Sequence, residues 1–307
     1  MDVIVAEGLL KNFGEVRALR GLNLRVSDGV FGFVGVNGAG KTTTIKILVG
    51  SLSPSGGRAA VLDYDCIKES LKIRQKVGVL HEKPSFPGNT SGMDYLSFVA
   101  QLYGFSKNDA REQARDVLEE VGLSSLEKRH ISGYSAGMKQ RLGLAQALVG
   151  DPELVILDEP TANLDPIGRS DLLSTIRRLH ADEGMSFFIS SHILPELQSV
   201  CDHIGIIDNG VVLEEGKVQE VVEKHAGGIF KIVVSESKAF LDAIRGSELV
   251  EEFSTAQGAI WIKTNEPKLF HDYVMKVIQE KGLHLSLFQH GDLETAFKNI
   301  VKANKND

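Results

Sequence analysis

The chain has 307 residues, 42% of them hydrophobic and 24% charged, enough for a substantial core in one large or two modest domains. Its net charge of −7, from 34 basic and 41 acidic side chains, argues against a broad phosphate-backbone footprint, so no nucleic-acid partner is expected. No apolar run approaches the roughly 18 residues of a membrane span. Asp2, Glu7 and Lys11 break up the N-terminal apolar residues as a secretory signal would not, so a cytoplasmic location is expected. Cys66 and Cys201 lie far apart and match no metal spacing, which points to buried reduced thiols.

Residues 2–8 and 22–27 are predicted as strands, with VRALRGLNLRV alternating apolar and polar side chains. The apolar run from Gly29 to Val34 suits a buried strand, and a helix is predicted to open near Lys41 and close at Gly50. Between them GVNGAGKTT, Gly35 to Thr43, satisfies the phosphate-loop spacing G-x-x-x-x-G-K-[ST]. Its glycines let successive backbone N–H groups turn inward around phosphate oxygens, and the helix start adds the positive end of its dipole. This pattern places Lys41 on the β- and γ-phosphates and the Thr42 hydroxyl on Mg²⁺.

From about residue 90 to 150 the pattern is mostly helical. Ser91-x-x-Asp94 is a capping-box pattern, and Ala110, Ala114, Val117, Leu118 and Val121 form one apolar stripe. YSAGMKQRL, Tyr134 to Leu142, opens a further helix with Ser135 as an adequate cap. It also places Gly137 in the first turn, where glycine costs stability, so helix formation alone does not account for it.

Leu154 to Leu157 is continuously apolar, as in a parallel strand buried on both faces. Asp158 emerges at its tip, placed to hold a Mg²⁺ shell through water, and Glu159 follows, placed to polarise an attacking water. Two carboxylates this close repel unless a cation or proton compensates. A helix is predicted over 166–183, a buried strand over SFFISS, and a helix over 194–201. His192 follows that strand at the end facing a ligand crevice, where a neutral imidazole can reach the γ-phosphate or the water; a satisfied structural histidine is an equal reading. HIGIIDNGVVLEEG is a hairpin turned at Asn209-Gly210. Strands alternating with helices imply an α/β core with a largely parallel sheet. Beyond Gly227 the order becomes strand-helix-strand-strand-helix-strand, that of a ferredoxin-like α+β fold. Two domains are therefore expected, residues 1–227 with a helical subdomain at about 85–150, and residues 228–307.

Taken in order, GVNGAGKTT, YSAGMKQRL, LVILDEPTANLDP and SSH resemble the nucleotide-binding subunit of an ABC transporter across roughly residues 2–225. YSAGMKQRL sits where the family has its LSGGQ-type signature. The finer likeness, in YSAGMKQRLGLAQAL and the ending DLETAFKNIV, is to exporters of drugs, antibiotics, polysaccharides or sodium with separate ATPase and permease chains. The resemblance implies a P-loop NTPase core with antiparallel β and α-helical subdomains, ATP and Mg²⁺ as ligands, and ATP hydrolysis. It implies Phe13 and Val16 beside the adenine, and Gly35, Asn37, Gly38, Ala39, Gly40, Lys41, Thr42 and Thr43 around the phosphates. It further implies Thr42, Glu82 and Asp158 toward the metal, and Lys41, Glu159 and His192 in catalysis. Ser135, Gly137 and the D-loop Asp165 belong to a sandwich with a second ATPase subunit, a copy of this chain or a paralogue. A membrane permease is the other implied partner, holding the subunit at the cytoplasmic face and entering a groove around Phe86, Met93 and Tyr95.

There are two departures. Glu82 stands where the family usually has glutamine, with His81 as the neighbouring alternative, and Ala136 replaces the first glycine of LSGGQ. The C-terminal region is variable in such proteins and serves dimer contacts, regulation or packing alone. The competing class is a soluble ABC ATPase of translation or DNA repair. A single nucleotide-binding set, the lack of a heptad run and the acidic balance weigh against it.

Overall fold

The structure, a computed structural model, describes residues 2–256 and 258–306. The chain divides into two compact units, one ending at Glu215 and the other beginning at Gly216.

The first unit opens with a long antiparallel hairpin, β1 (Asp2–Phe13) and β2 (Val16–Ser27), in which Phe13 pairs with Val16 across the turn. Both strands run well beyond their predicted segments. Register shifts between Ala6 and Leu9 and again at Leu10 interrupt the period-two alternation, which conceals the strand in the sequence. β3 (Val30–Val34) is buried throughout and leads into α1 (Lys41–Leu48). Three unpredicted elements follow, β4 (Gly56–Val61), β5 (Tyr64–Asp65) and α2 (Ser70–Lys76), before β6 (Val77–Leu80). β4 reads GGRAAV, poor in the β-branched and aromatic residues that advertise a strand, and is held by pairing with β1. The first sheet has the order β2-β1-β4-β5.

The helical region contains α3 (Gly92–Leu102), α4 (Lys107–Glu120) and α5 (Ala136–Leu148). Ser91, Ser106 and Ser135 cap them, each hydroxyl accepting the backbone N–H three residues on. Of the capping box expected at Ser91 the serine half is present, the hydroxyl accepting the Asp94 N–H at 3.1 Å and donating to the Asp94 carboxylate at 2.7 Å.

β7 (Leu154–Asp158), α6 (Pro166–Glu183), β8 (Ser186–Ser191), α7 (Leu194–Val200), β9 (His203–Asp208) and β10 (Val211–Lys217) complete the unit. The second sheet runs β10-β9-β3-β8-β7-β6, and the pairs β9–β3, β3–β8, β8–β7 and β7–β6 are parallel. Register brings Val34 opposite Ser191 and Asp158 opposite Ser190, so the carboxyl ends of β3, β7 and β8 finish level. Phe31 and Phe33 of β3 pack against Phe188 of β8 with ring centroids 5.7 and 5.3 Å apart, filling the core that also buries Ile45 and Leu48 of α1.

The second unit begins with α8 (Val218–Ala226), which was not predicted, and continues with β11 (Ile229–Val234), α9 (Ser237–Ile244), β12 (Glu252–Ala256), β13 (Ala259–Lys263), α10 (Pro267–Lys281), β14 (Leu285–His290) and α11 (Leu293–Asn306). The antiparallel sheet has the order β12-β13-β11-β14, the ferredoxin-like arrangement expected from element order. Phe230 and Ile232 of its inner face pack against Phe240 of α9 and Phe270 and Val274 of α10. This compact unit begins twelve residues before the expected boundary at 228, because α8 packs with α11 and Asn299 donates to the His225 carbonyl at 2.8 Å. No helix among the described residues is long and apolar enough to cross a membrane.

Candidate active site

The level ends of β3, β7 and β8 surround a cavity of about 370 Å³ lined by Ala18, Asn37, Gly38, Gly40, Lys41, Thr42, Thr43, Glu82, Glu159, Ala162 and His192. The loop after β3 forms one wall. Gly40 has a φ of +116°, and a Cβ there would lie 2.9 Å from the Leu19 side chain and 3.0 Å from the Ala18 carbonyl. At Gly35 a Cβ would meet the Ile207 carbonyl at 2.4 Å, so the loop's first glycine is required by close packing on β9. Ala39 is buried behind the loop, its carbonyl accepting the Gly210 N–H at 2.9 Å.

Lys41 is 6% exposed and donates to the Gly35 carbonyl at 2.7 Å, while its ammonium stands 3.1 Å from Glu159 Oε1. Glu159 adopts a φ of +49°, a region that a non-glycine residue enters only when its surroundings hold it. Its backbone N–H is shared between the Ser190 carbonyl and hydroxyl, each at 3.1 Å. Its Oε2 bonds His192 Nδ1 at 2.8 Å, while Oε1 is buried and, although ion-paired with Lys41, receives no aligned hydrogen bond. That oxygen therefore keeps an unfilled acceptor position on a residue that lines the cavity.

Asp158 is 3% exposed and stands behind the cavity wall, accepting the Ser190 hydroxyl at 2.6 Å. Glu82 reaches the wall and the neighbouring His81 does not, so of those two Glu82 faces the phosphate loop. Phe13 and Val16 are 50% and 66% exposed at the hairpin turn, with the Lys11 ammonium 5.0 Å from the Phe13 ring centroid. Neither lines the cavity, nor do Ser135, Gly137 and Asp165. Ser135 and Ala136 are exposed, Gly137 is half-buried, and Asp165 caps α6 by accepting the Gly168 N–H at 2.8 Å. Sequence reading missed Ala18 and Ala162 in the wall and Ser190 beneath it. Ser190 is one of three buried serines in SFFISS, with Ser186 and Ser191, and nothing in the sequence set it apart from them.

Phosphate loop, buried lysine, strained glutamate and flanking imidazole facing one cavity at the carboxyl ends of a parallel sheet define a P-loop nucleoside triphosphatase. The ABC transporter family profile matches residues 19–162. The bacitracin transport ATP-binding protein BcrA of Bacillus licheniformis is 41% identical over 69% of each chain. The linearmycin resistance ATP-binding protein LnrL of Bacillus subtilis is 32% identical over 97% of this chain and 98% of its own length. Among solved structures, CbiO1 of Clostridium perfringens, part of the ABC transporter complex CbiONQ, matches with a TM-score of 0.66 and 28% identity over 72% of this chain and 90% of that one. The chain belongs to the ABC transporter family and is an ATP-binding subunit whose hydrolysis of ATP drives transport.

Proposed function

We propose that this subunit powers export of an antibiotic of the kind named for its relatives, bacitracin and linearmycin, through a permease carried on a separate chain. Full-length similarity to LnrL, second unit included, supports this reading over a translation or repair ATPase. Two such subunits, copies or paralogues, close on two ATP molecules, each phosphate loop facing the other's Ser135 and Gly137. The observation that carries the dimer is the division of the expected site residues. The loop, Glu159 and His192 share one cavity, whereas Ser135 and Gly137 are absent from its walls at an accessible helix start.

Within the cavity Lys41 exchanges its bonds to Gly35 and Glu159 for the β- and γ-phosphates. Glu159 Oε1 accepts the proton of the attacking water, and His192 holds the carboxylate through Oε2. Thr42 and Glu82 on the wall are the oxygen donors that would hold Mg²⁺, with Asp158 behind the wall acting on its shell through water; the ion would neutralise charge developing on the phosphates. No cluster of three or more His, Cys, Asp or Glu able to hold a metal occurs among the described residues. Mg²⁺ does not require such a cluster, since it takes one or two carboxylates and completes its shell with phosphate and water. The permease holds the subunit at the cytoplasmic membrane face. Exposed Phe98 and Leu102, one turn apart on α3, extend the half-buried Phe86, Met93 and Tyr95 toward it.

Glu159→Gln tests the mechanism. It should bind ATP normally, lose about 10²-fold or more in turnover, and run as a dimer on gel filtration with ATP and Mg²⁺. A variant that stays monomeric overturns the sandwich. Full turnover overturns Glu159 as the base.

A further inference from the structure

Ser190 is the fifth residue of β8 and, at 0% exposed, the most deeply buried of the strand's three serines. β8 and β7 pair in parallel with Ser190 opposite Asp158. The hydroxyl donates to Asp158 Oδ1 at 2.6 Å and accepts the Glu159 backbone N–H at 3.1 Å. Two residues on, the same strand end supplies His192, 2.8 Å from Glu159 Oε2.

We propose that Ser190 is a positioning residue for ATP hydrolysis, its single hydroxyl, anchored on Asp158, holding Glu159 in the direction that catalysis requires. The inference rests on Glu159 acting as the base. Glu159 occupies the left-handed region at a φ of +49°, which costs free energy and persists only while its neighbours over-determine it. The N–H that the Ser190 hydroxyl shares with the Ser190 carbonyl belongs to that strained residue, so losing the hydroxyl removes one of its two acceptors and loosens the backbone that aims the carboxylate at Lys41 and His192. The same hydroxyl gives its proton to Asp158 Oδ1, which fixes the direction in which its oxygen meets the Glu159 N–H. Serine is the smallest side chain that is at once donor and acceptor, as this two-sided contact requires at a site with no exposed surface.

The test compares Ser190→Ala and Ser190→Cys in the full chain. Cysteine nearly matches serine in size but is a weak donor, so it keeps the experiment informative should the alanine variant fail to fold. Both should lose about 10- to 100-fold in kcat, as when an outer hydrogen-bond partner is removed. The KM and the affinity for a fluorescent ATP analogue should stay within about threefold of wild type, because the phosphate loop is untouched. In a Glu159→Gln background, adding Ser190→Ala should cost nothing further, since the hydroxyl acts through Glu159. Wild-type kcat in a folded single variant overturns the proposal, as does a double variant that falls by the full factor again. A Glu159→Gln variant with normal turnover sinks the base assignment instead, and the two failures are told apart by that control.

Discussion

Gly137 separates what this chain needs for folding from what catalysis needs of it. It lies in the first turn of α5, and a Cβ there would meet only Leu164 Cδ2 at 3.5 Å and Ser135 Oγ at 4.0 Å, both ordinary contacts. Its φ lies outside the left-handed region, so alanine fits without strain. Gly137→Ala should therefore stabilise the isolated chain by about 0.5–1 kcal/mol through helix propensity and reduced freedom of the unfolded chain. For a unit of this size that corresponds to a rise of about 1–4 °C in Tm. Turnover should move the other way. A methyl at this helix start keeps a backbone N–H from the γ-phosphate held by the second subunit, and losing one such donor costs about 10²-fold in kcat. Differential scanning calorimetry and a phosphate-release assay on the same preparation check both signs. A Tm several degrees lower with unchanged turnover would mean that the glycine serves packing inside this chain and that the signature reading is wrong.

Phe13→Ala should leave stability within about 0.5 kcal/mol, since the ring is 50% exposed. It should weaken ATP by about 1–3 kcal/mol of lost base stacking, and unchanged affinity in a titration would remove Phe13 from the adenine site. Burial pushes the Cys66 thiol up to about 12, with the Asp65 charge adding to it, and burial pushes Cys201 upward as well. Because the thiolate is the reactive form, neither should react with a thiol reagent at pH 8 until the protein unfolds. Raising the pH toward the Cys66 value should speed its labelling while the fold persists. Rapid native labelling at pH 8 would contradict the burial.

Much of the core and of the phosphate site was legible because its signals are local. Apolar runs identified β3 and β7, the short apolar centre of SFFISS identified β8, and the α6 limits matched Pro166–Glu183, fixed at one end by Asp165-Pro166 and at the other by Gly184 with a φ of +69°. The ferredoxin-like order was readable from the alternation of elements alone. β1 was cut short because its bulges break the alternation, β4 went unseen because GGRAAV lacks strand-forming side chains, and α8 was missed entirely. Its place in the second unit depends on packing with α11, about eighty residues away.

The sequence by itself determined the chemistry of this protein: a phosphate loop, a glutamate after a buried strand, a histidine after another, and a signature helix start. These are spacings of a few residues along the backbone, set by which side chains can follow a strand or open a helix. Only the tertiary structure decided which of them share a cavity. It placed Glu82 on the wall rather than His81, Asp158 behind it, and Ser135 and Gly137 outside it. It also disclosed Ser190, whose partners lie 31 and 32 residues away and meet it only through the register of two parallel strands. Such contacts depend on side-chain direction across a sheet, which no local pattern encodes.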